Sequence, residues 1–200
     1  MKLYFLPGSC AMATHIVLNE LGVPAEFVKV DRATRTTPDG ENYYTVSPNG
    51  YVPALKLDDG NVLLENAAIL PYVGDLKPEA GWMPQSGFAR YRALEWLGYA
   101  NMELHGNFRP FFAGVDEAAK EIFRKRLVTR YKRVDEALAK SPFLTGDRPI
   151  VADAYVHVVT RWAAGQNVDL SAYGNVAAFQ ERMAGRPAVQ KTIKEEGLPA

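Results

Sequence analysis

The chain holds a single cysteine, Cys10, in the run Pro7-Gly8-Ser9-Cys10-Ala11. Apolar residues at Ala13, Ile16, Val17 and Leu21 follow it at helical spacing, so the thiol falls at a helix amino end. Unpaired backbone N–H groups and the helix dipole favour an anion there. The expectation is a thiol with a depressed pKa that reacts as thiolate, set against the buried inert cysteine that the residue type also allows. Position tips the reading toward function. No second cysteine can resolve a disulfide, so any redox cycle must take its other thiol from a small molecule or another chain.

Other residues gather around that thiol only if the fold brings them. Val52-Pro53-Ala54 leads into a predicted strand, where a cis proline would leave the Val52 backbone open to an extended peptide. Glu65-Asn66 opens a predicted helix, with an acid for an amino group and free N–H groups for a carboxylate. His105, late in a long helical pattern, is the histidine placed to reach a sulfur across a cleft. His15 and His157 read as structural, and none of the three histidines forms a metal-binding pair. No metal is expected. Phe108, Phe111, Phe112, Tyr155 and Trp162 can wall an apolar pocket, although aromatic residues at this spacing also build cores. Phe108, Phe112 and Trp162 are the candidate residues of that pocket.

The elements that must position these residues fall into two unlike halves. Lys2–Leu6 and Glu26–Val30 read as strands around the first helix, which Gly22 and Pro24 close. Ala54–Leu57 and Asn61–Leu64 form a hairpin through Asp58-Asp59-Gly60, followed by a helix over Glu65–Leu76 that Pro71 should kink. After a Pro- and Gly-rich stretch, only helical patterns remain: Gly87–Phe112, Glu117–Ala139, Val151–Ala164, Val176–Ala184 and Pro187–Glu196. In the first of these, Tyr91, Leu94, Gly98, Met102 and His105 form one stripe and Leu97, Asn101, Leu104 and Phe108 a second. The fold class is α/β plus all-α: a thioredoxin-like βαβ-ββα domain over 1–77, a linker over 78–86 and a helical bundle over 87–200.

Composition narrows the functions. Lysine plus arginine and aspartate plus glutamate both number 23, so no basic field draws the molecule to nucleic acid or an anionic membrane. No run reaches the length of a transmembrane span, and the lone cysteine suits a reducing, cytoplasmic setting.

The chain carries, in order, Lys2-Leu3-Tyr4, Pro7-Gly8-Ser9-Cys10, Val30-Asp31, Ser47-Pro48-Asn49-Gly50, Val52-Pro53-Ala54-Leu55, Asp58-Asp59-Gly60, Leu64-Glu65, Ala68-Ile69, Glu95-Trp96-Leu97, Glu103-Leu104-His105 and Ala152-Asp153-Ala154-Tyr155. On these residues, from Met1 to the carboxyl end, it resembles a bacterial beta-class glutathione transferase. The resemblance implies a homodimer that binds glutathione and hydrophobic electrophiles. It implies that Cys10 and His105 contact the glutathione sulfur, that Val52 and Pro53 pair with the peptide, and that Glu65 and Asn66 hold its γ-glutamyl end. Arg35 stands where the family usually has lysine facing the glycyl carboxylate, keeping the charge on a different fork. Tyr51 replaces a usual glutamine, Asn66 a small residue, Ser9 an alanine, and Gly98 an asparagine that reaches the partner subunit. Ile150 leaves Asp153 only half of a capping box. Ser9, and in principle Tyr4, adds a sulfur hydrogen-bond donor. Conjugation of glutathione is the first expectation. A glutathione-dependent disulfide or peroxide reductase working through a Cys10 mixed disulfide is the second, and a noncatalytic binding module the third.

Overall fold

A computed structural model describes residues 1–199. The first half is a four-stranded mixed sheet in the order β2-β1-β3-β4, from β1 (Lys2–Phe5), β2 (Glu26–Lys29), β3 (Ala54–Lys56) and β4 (Val62–Leu64). β1 runs parallel to β2, with Leu3 opposite Phe27, and antiparallel to β3, with Leu3 opposite Leu55. The parallel crossover is α1 (Ala11–Leu21), ended by Gly22 in the left-handed region at φ 58°. Gly60 takes φ 89° in the hairpin, where the Asp59 carboxylate accepts from Asn61 N at 2.9 Å. α2 (Asn66–Asp75) continues through Pro71.

The expected long helix over Gly87–Phe112 is instead α3 (Gly87–Tyr99), a π-helical segment over Ala100–His105, and α4 (Gly106–Phe112). A π turn takes more residues than an α turn, so everything after it rotates out of the α-helical register. That breaks the stripe expected to carry His105. Tyr91 is 68% exposed and Met102 67%, whereas His105 turns inward. Leu97, Leu104 and Phe108 of the second stripe are core.

The bundle is completed by α5 (Glu117–Leu138), α6 (Val151–Gly165), α7 (Gly174–Ala184) and α8 (Pro187–Glu195). Asp116 caps α5, accepting from Ala119 N at 2.8 Å. On α5, Ile122 is exposed and Phe123 takes the inward place at that turn. At the start of α6, Asp153 accepts from Leu144 N and Ile150 N at 2.9 Å each; Ile150 has no side-chain acceptor to return the bond.

One apolar cluster joins the halves, with Leu3, Ile16 and Ile69 of the sheet side continuous with Leu104, Val156 and Val159. α1 lies at its centre, packed against α2, α6 and α8, and every residue from Ala11 to Leu18 is buried. Among the described residues no helix is long and apolar enough to cross a membrane.

Candidate active site

Gly8 is where the helical half takes hold of the sheet half. It adopts φ 69°, its N–H donates to Glu196 Oε2 at 2.8 Å, and its carbonyl accepts from Trp162 Nε1 at 2.9 Å. Glu196, just past α8, is itself buried, with its other oxygen 3.1 Å from His15 Nδ1. The His15 ring stacks on Phe27 with centroids 3.7 Å apart. The Gly8 N–H and C=O are thereby both satisfied from the opposite half, which holds the short loop leading to Cys10.

Cys10 is the residue before α1, and its Sγ donates to the Val52 carbonyl at 3.3 Å. The Val52–Pro53 peptide is cis. One residue earlier, the Tyr51 carbonyl accepts from the Tyr43 hydroxyl at 2.7 Å and the Ser47 hydroxyl at 2.9 Å, so two buried side chains shape this turn. Burial dominates the thiol: it pushes the Cys10 pKa up to about 12, and the N–H groups of Cys10 and Ala11 only partly oppose it. The thiolate expected from the helix amino end is therefore corrected to a neutral thiol, because removal from water outweighs a partial dipole charge.

Glu65 precedes α2 at φ 69° and ψ 125°, a conformation uncommon outside glycine, and its side chain is exposed. Asn66 is turned the other way. Its Nδ2 donates to the Cys10 carbonyl at 2.8 Å and its Oδ1 accepts from Thr14 at 2.9 Å. The expected ligand-binding role of its side chain is thus replaced by a structural one, leaving its backbone N–H. Arg35 also has a positive φ, 54°, and its Nη1 is buried without a hydrogen-bond partner among the described residues. An orphan buried donor of this kind suits an acceptor that is not part of the chain.

Across the cleft, His105 Nδ1 lies 2.6 Å from the Tyr155 hydroxyl, which also reaches Asn101 Oδ1 at 3.1 Å. Burial, helped by the Arg109 charge, draws the His105 pKa down to about 4 and keeps the imidazole neutral. Its ring sits 5.2 Å from that of Trp162, the residue bonded to Gly8.

Family models for the glutathione S-transferase N-terminal domain and C-terminal domain match residues 8–76 and 67–187. Glutathione S-transferase GstA of Escherichia coli O157:H7 is 40% identical over 99% of this chain and 100% of its own length. A sphingomonad glutathione S-transferase solved with glutathione superposes with a TM-score of 0.95 at 41% identity, covering 100% of both chains. A bacterial beta-class transferase from Sphingomonas chungbukensis gives 0.95 at 40%, again over 100% of both chains. The chain belongs to the glutathione S-transferase family.

In this transferase the expected aromatic wall is only partly open to the cleft. Phe108 is fully buried behind Trp162, their rings 5.6 Å apart, so it backs the wall instead of facing a ligand. Phe112 is 55% exposed and packs edge-on to Trp162 at 5.5 Å. Ser9 Oγ accepts from Ala11 N at 3.3 Å, a bond within its own turn. Tyr4 packs against Tyr43 with ring centroids 5.5 Å apart, in a cluster apart from the main core, while the Cys10 thiol goes to Val52. Tyr51 is exposed, with the Arg109 guanidinium over its ring at 5.6 Å. Sequence reasoning passed over Arg109, Asn101 and the polar role of Tyr155. Arg109 was within reach, since it lies four residues after His105 and shares its helical face. Among the described residues, no group of three or more His, Cys, Asp and Glu side chains is arranged to hold a metal ion.

Proposed function

We propose that this transferase activates the thiol of glutathione between Cys10 and His105 and delivers it to hydrophobic electrophiles against the Phe112–Trp162 wall. The meeting of Cys10, the cis Val52–Pro53 turn and the His105–Tyr155 pair across one cleft carries the reading. The glutathione backbone pairs with Val52 beside Pro53, with the Tyr51 turn beneath it. Its γ-glutamyl end meets the Glu65 carboxylate and the N–H groups that open α2, and its glycyl carboxylate meets Arg35. Neutral His105 takes the thiol proton on Nε2, and Cys10, as an intact thiol, turns its one proton from the Val52 carbonyl to the sulfur anion. The thiolate then forms a C–S bond with the electrophile, and the leaving group departs with its electron pair. A protonated Cys10 favours this over a cycle through a Cys10 mixed disulfide, which needs a thiolate there.

Association into a homodimer fits the exposed apolar residues of α3 and the π segment: Phe88 at 73%, Tyr91 at 68% and Met102 at 67%. Sedimentation at micromolar concentration tests it, with a Tyr91→Glu variant expected to shift toward monomer. The single cysteine and a thiol substrate suit a reducing cytoplasmic setting.

Calorimetric titration with reduced glutathione tests the site itself. Saturable binding by the parent protein, lost in Glu65→Ala, is expected. Absence of binding at millimolar glutathione would overturn the reading in favour of a noncatalytic module.

A further inference from the structure

We propose that Arg109 is a specificity-determining residue that selects acceptor substrates bearing an anionic group beside an apolar or aromatic body. This deepens the transferase reading and rests on it. His105 ends the π segment, and Arg109 and Phe112 follow it on α4 at steps of four and three residues, so the group that meets the sulfur, a cation and an aromatic rim line one wall. The Arg109 guanidinium reaches from that wall to the opposite side of the cleft, where it lies over the Tyr51 ring at 5.6 Å. Contact with an aromatic face orients an arginine without neutralising it.

Its charge is not cancelled. Among the described residues, twelve lysine or arginine side-chain ion pairs and one amino-terminal pair occupy much of the charged surface, yet none includes Arg109, and no hydrogen bond to it occurs. Arg124 pairs with Glu117, Arg130 with Glu103, Arg133 with Glu95 and Arg186 with Glu20, whereas Arg126, like Arg109, lies over an aromatic ring, that of Phe123. What sets Arg109 apart is its place beside Tyr51, where it acts electrostatically on Cys10, His105 and Tyr155 together. A guanidinium placed there offers its fork to a carboxylate, while Phe112 and Trp162, 5.5 Å apart, accept the apolar part of the same molecule. The glycyl carboxylate of glutathione has its own partner in Arg35, which leaves Arg109 for the acceptor.

A chloro-dinitrobenzoate and its uncharged amide, each undergoing displacement of chloride by glutathione, test the assignment. The parent enzyme should turn over the benzoate with the higher kcat/KM, and raising the salt should narrow the gap because the cation is exposed. Arg109→Gln should lower the benzoate-to-amide ratio of kcat/KM about tenfold, the scale of one charge-assisted hydrogen bond, and Arg109→Lys should restore part of it. A ratio unchanged in Arg109→Gln overturns the proposal. So does a rise in KM for glutathione with the ratio intact, which assigns Arg109 to glutathione instead. If the parent enzyme binds glutathione yet turns over neither acceptor, the conjugation reading fails, and the acceptor role of Arg109 fails with it.

Discussion

His105 Nδ1 and the Tyr155 hydroxyl stand 2.6 Å apart, joining the π segment to α6 across the back of the cleft. Tyr155 is 1% exposed, and its hydroxyl also lies 3.1 Å from Asn101 Oδ1. A phenol has one proton. Given to the Asn101 carbonyl oxygen, it leaves the tyrosine oxygen to accept from Nδ1–H, which puts the bare nitrogen of a neutral imidazole at Nε2.

Tyr155→Phe releases that tautomer without changing the ring volume. We expect kcat to fall about tenfold, the usual scale for misplacing a general base, with KM for glutathione nearly unchanged. Nitrogen NMR of labelled histidine reads the tautomer directly, with the His105 signal assigned by its loss in His105→Gln. A parent spectrum with the proton on Nε2 would reverse the role of His105 from base to donor.

Burial of Cys10 predicts a sluggish thiol. Alkylation by iodoacetamide should be slow at neutral pH and climb about tenfold per pH unit through the mildly alkaline range, as the thiolate fraction grows. A rate that levels off below pH 8 would show a thiolate stabilised by the helix after all. In the same frame, Cys10→Ala should weaken conjugation without abolishing it.

Asp153 satisfies two buried N–H groups, those of Leu144 and Ile150, at 2.9 Å each. Asp153→Ala leaves both without partners and should cost about 2–4 kcal/mol in urea unfolding. Asp153→Asn, which keeps one acceptor oxygen, should cost less. Equal losses in the two variants would mean that packing, not hydrogen bonding, makes the site sensitive.

His157 is buried with both ring nitrogens unpartnered among the described residues, and burial draws its pKa down to about 4. The unfolded chain, with an ordinary imidazole near ~6.5, therefore binds more protons than the fold between those values. The stability tied to the neutral ring is full above ~6.5 and drains away as pH falls toward 4. His105 shifts in the same direction. His157→Leu removes one of the two contributions, so the drop in Tm between pH 8 and pH 5 should shrink by an amount worth about 1–2 kcal/mol. An undiminished drop assigns the acid sensitivity elsewhere.

By itself, the sequence determined what short-range chemistry controls. Gly22 ends α1, Asp58-Asp59-Gly60 turns the hairpin, and the alternation of strand and helix periods separates the halves, because each depends on residues within a turn or two of one another. It also singled out Cys10, Pro53, Glu65 and His105. Only the tertiary structure decided what those residues are. The helix amino end argues for a thiolate at Cys10, but desolvation from the packed halves makes it a thiol. Helical spacing put His105 in a stripe with Tyr91 and Met102, and the π segment turns it away from them into the cleft. Phe108 and Asn66 bear plausible ligand-facing side chains and are spent inside, while Arg109 is left unpaired where the halves face each other. Burial, and the pairing of groups separated by 40 to 188 residues such as Cys10 with Val52 and Gly8 with Glu196, arise only when the chain has closed on itself.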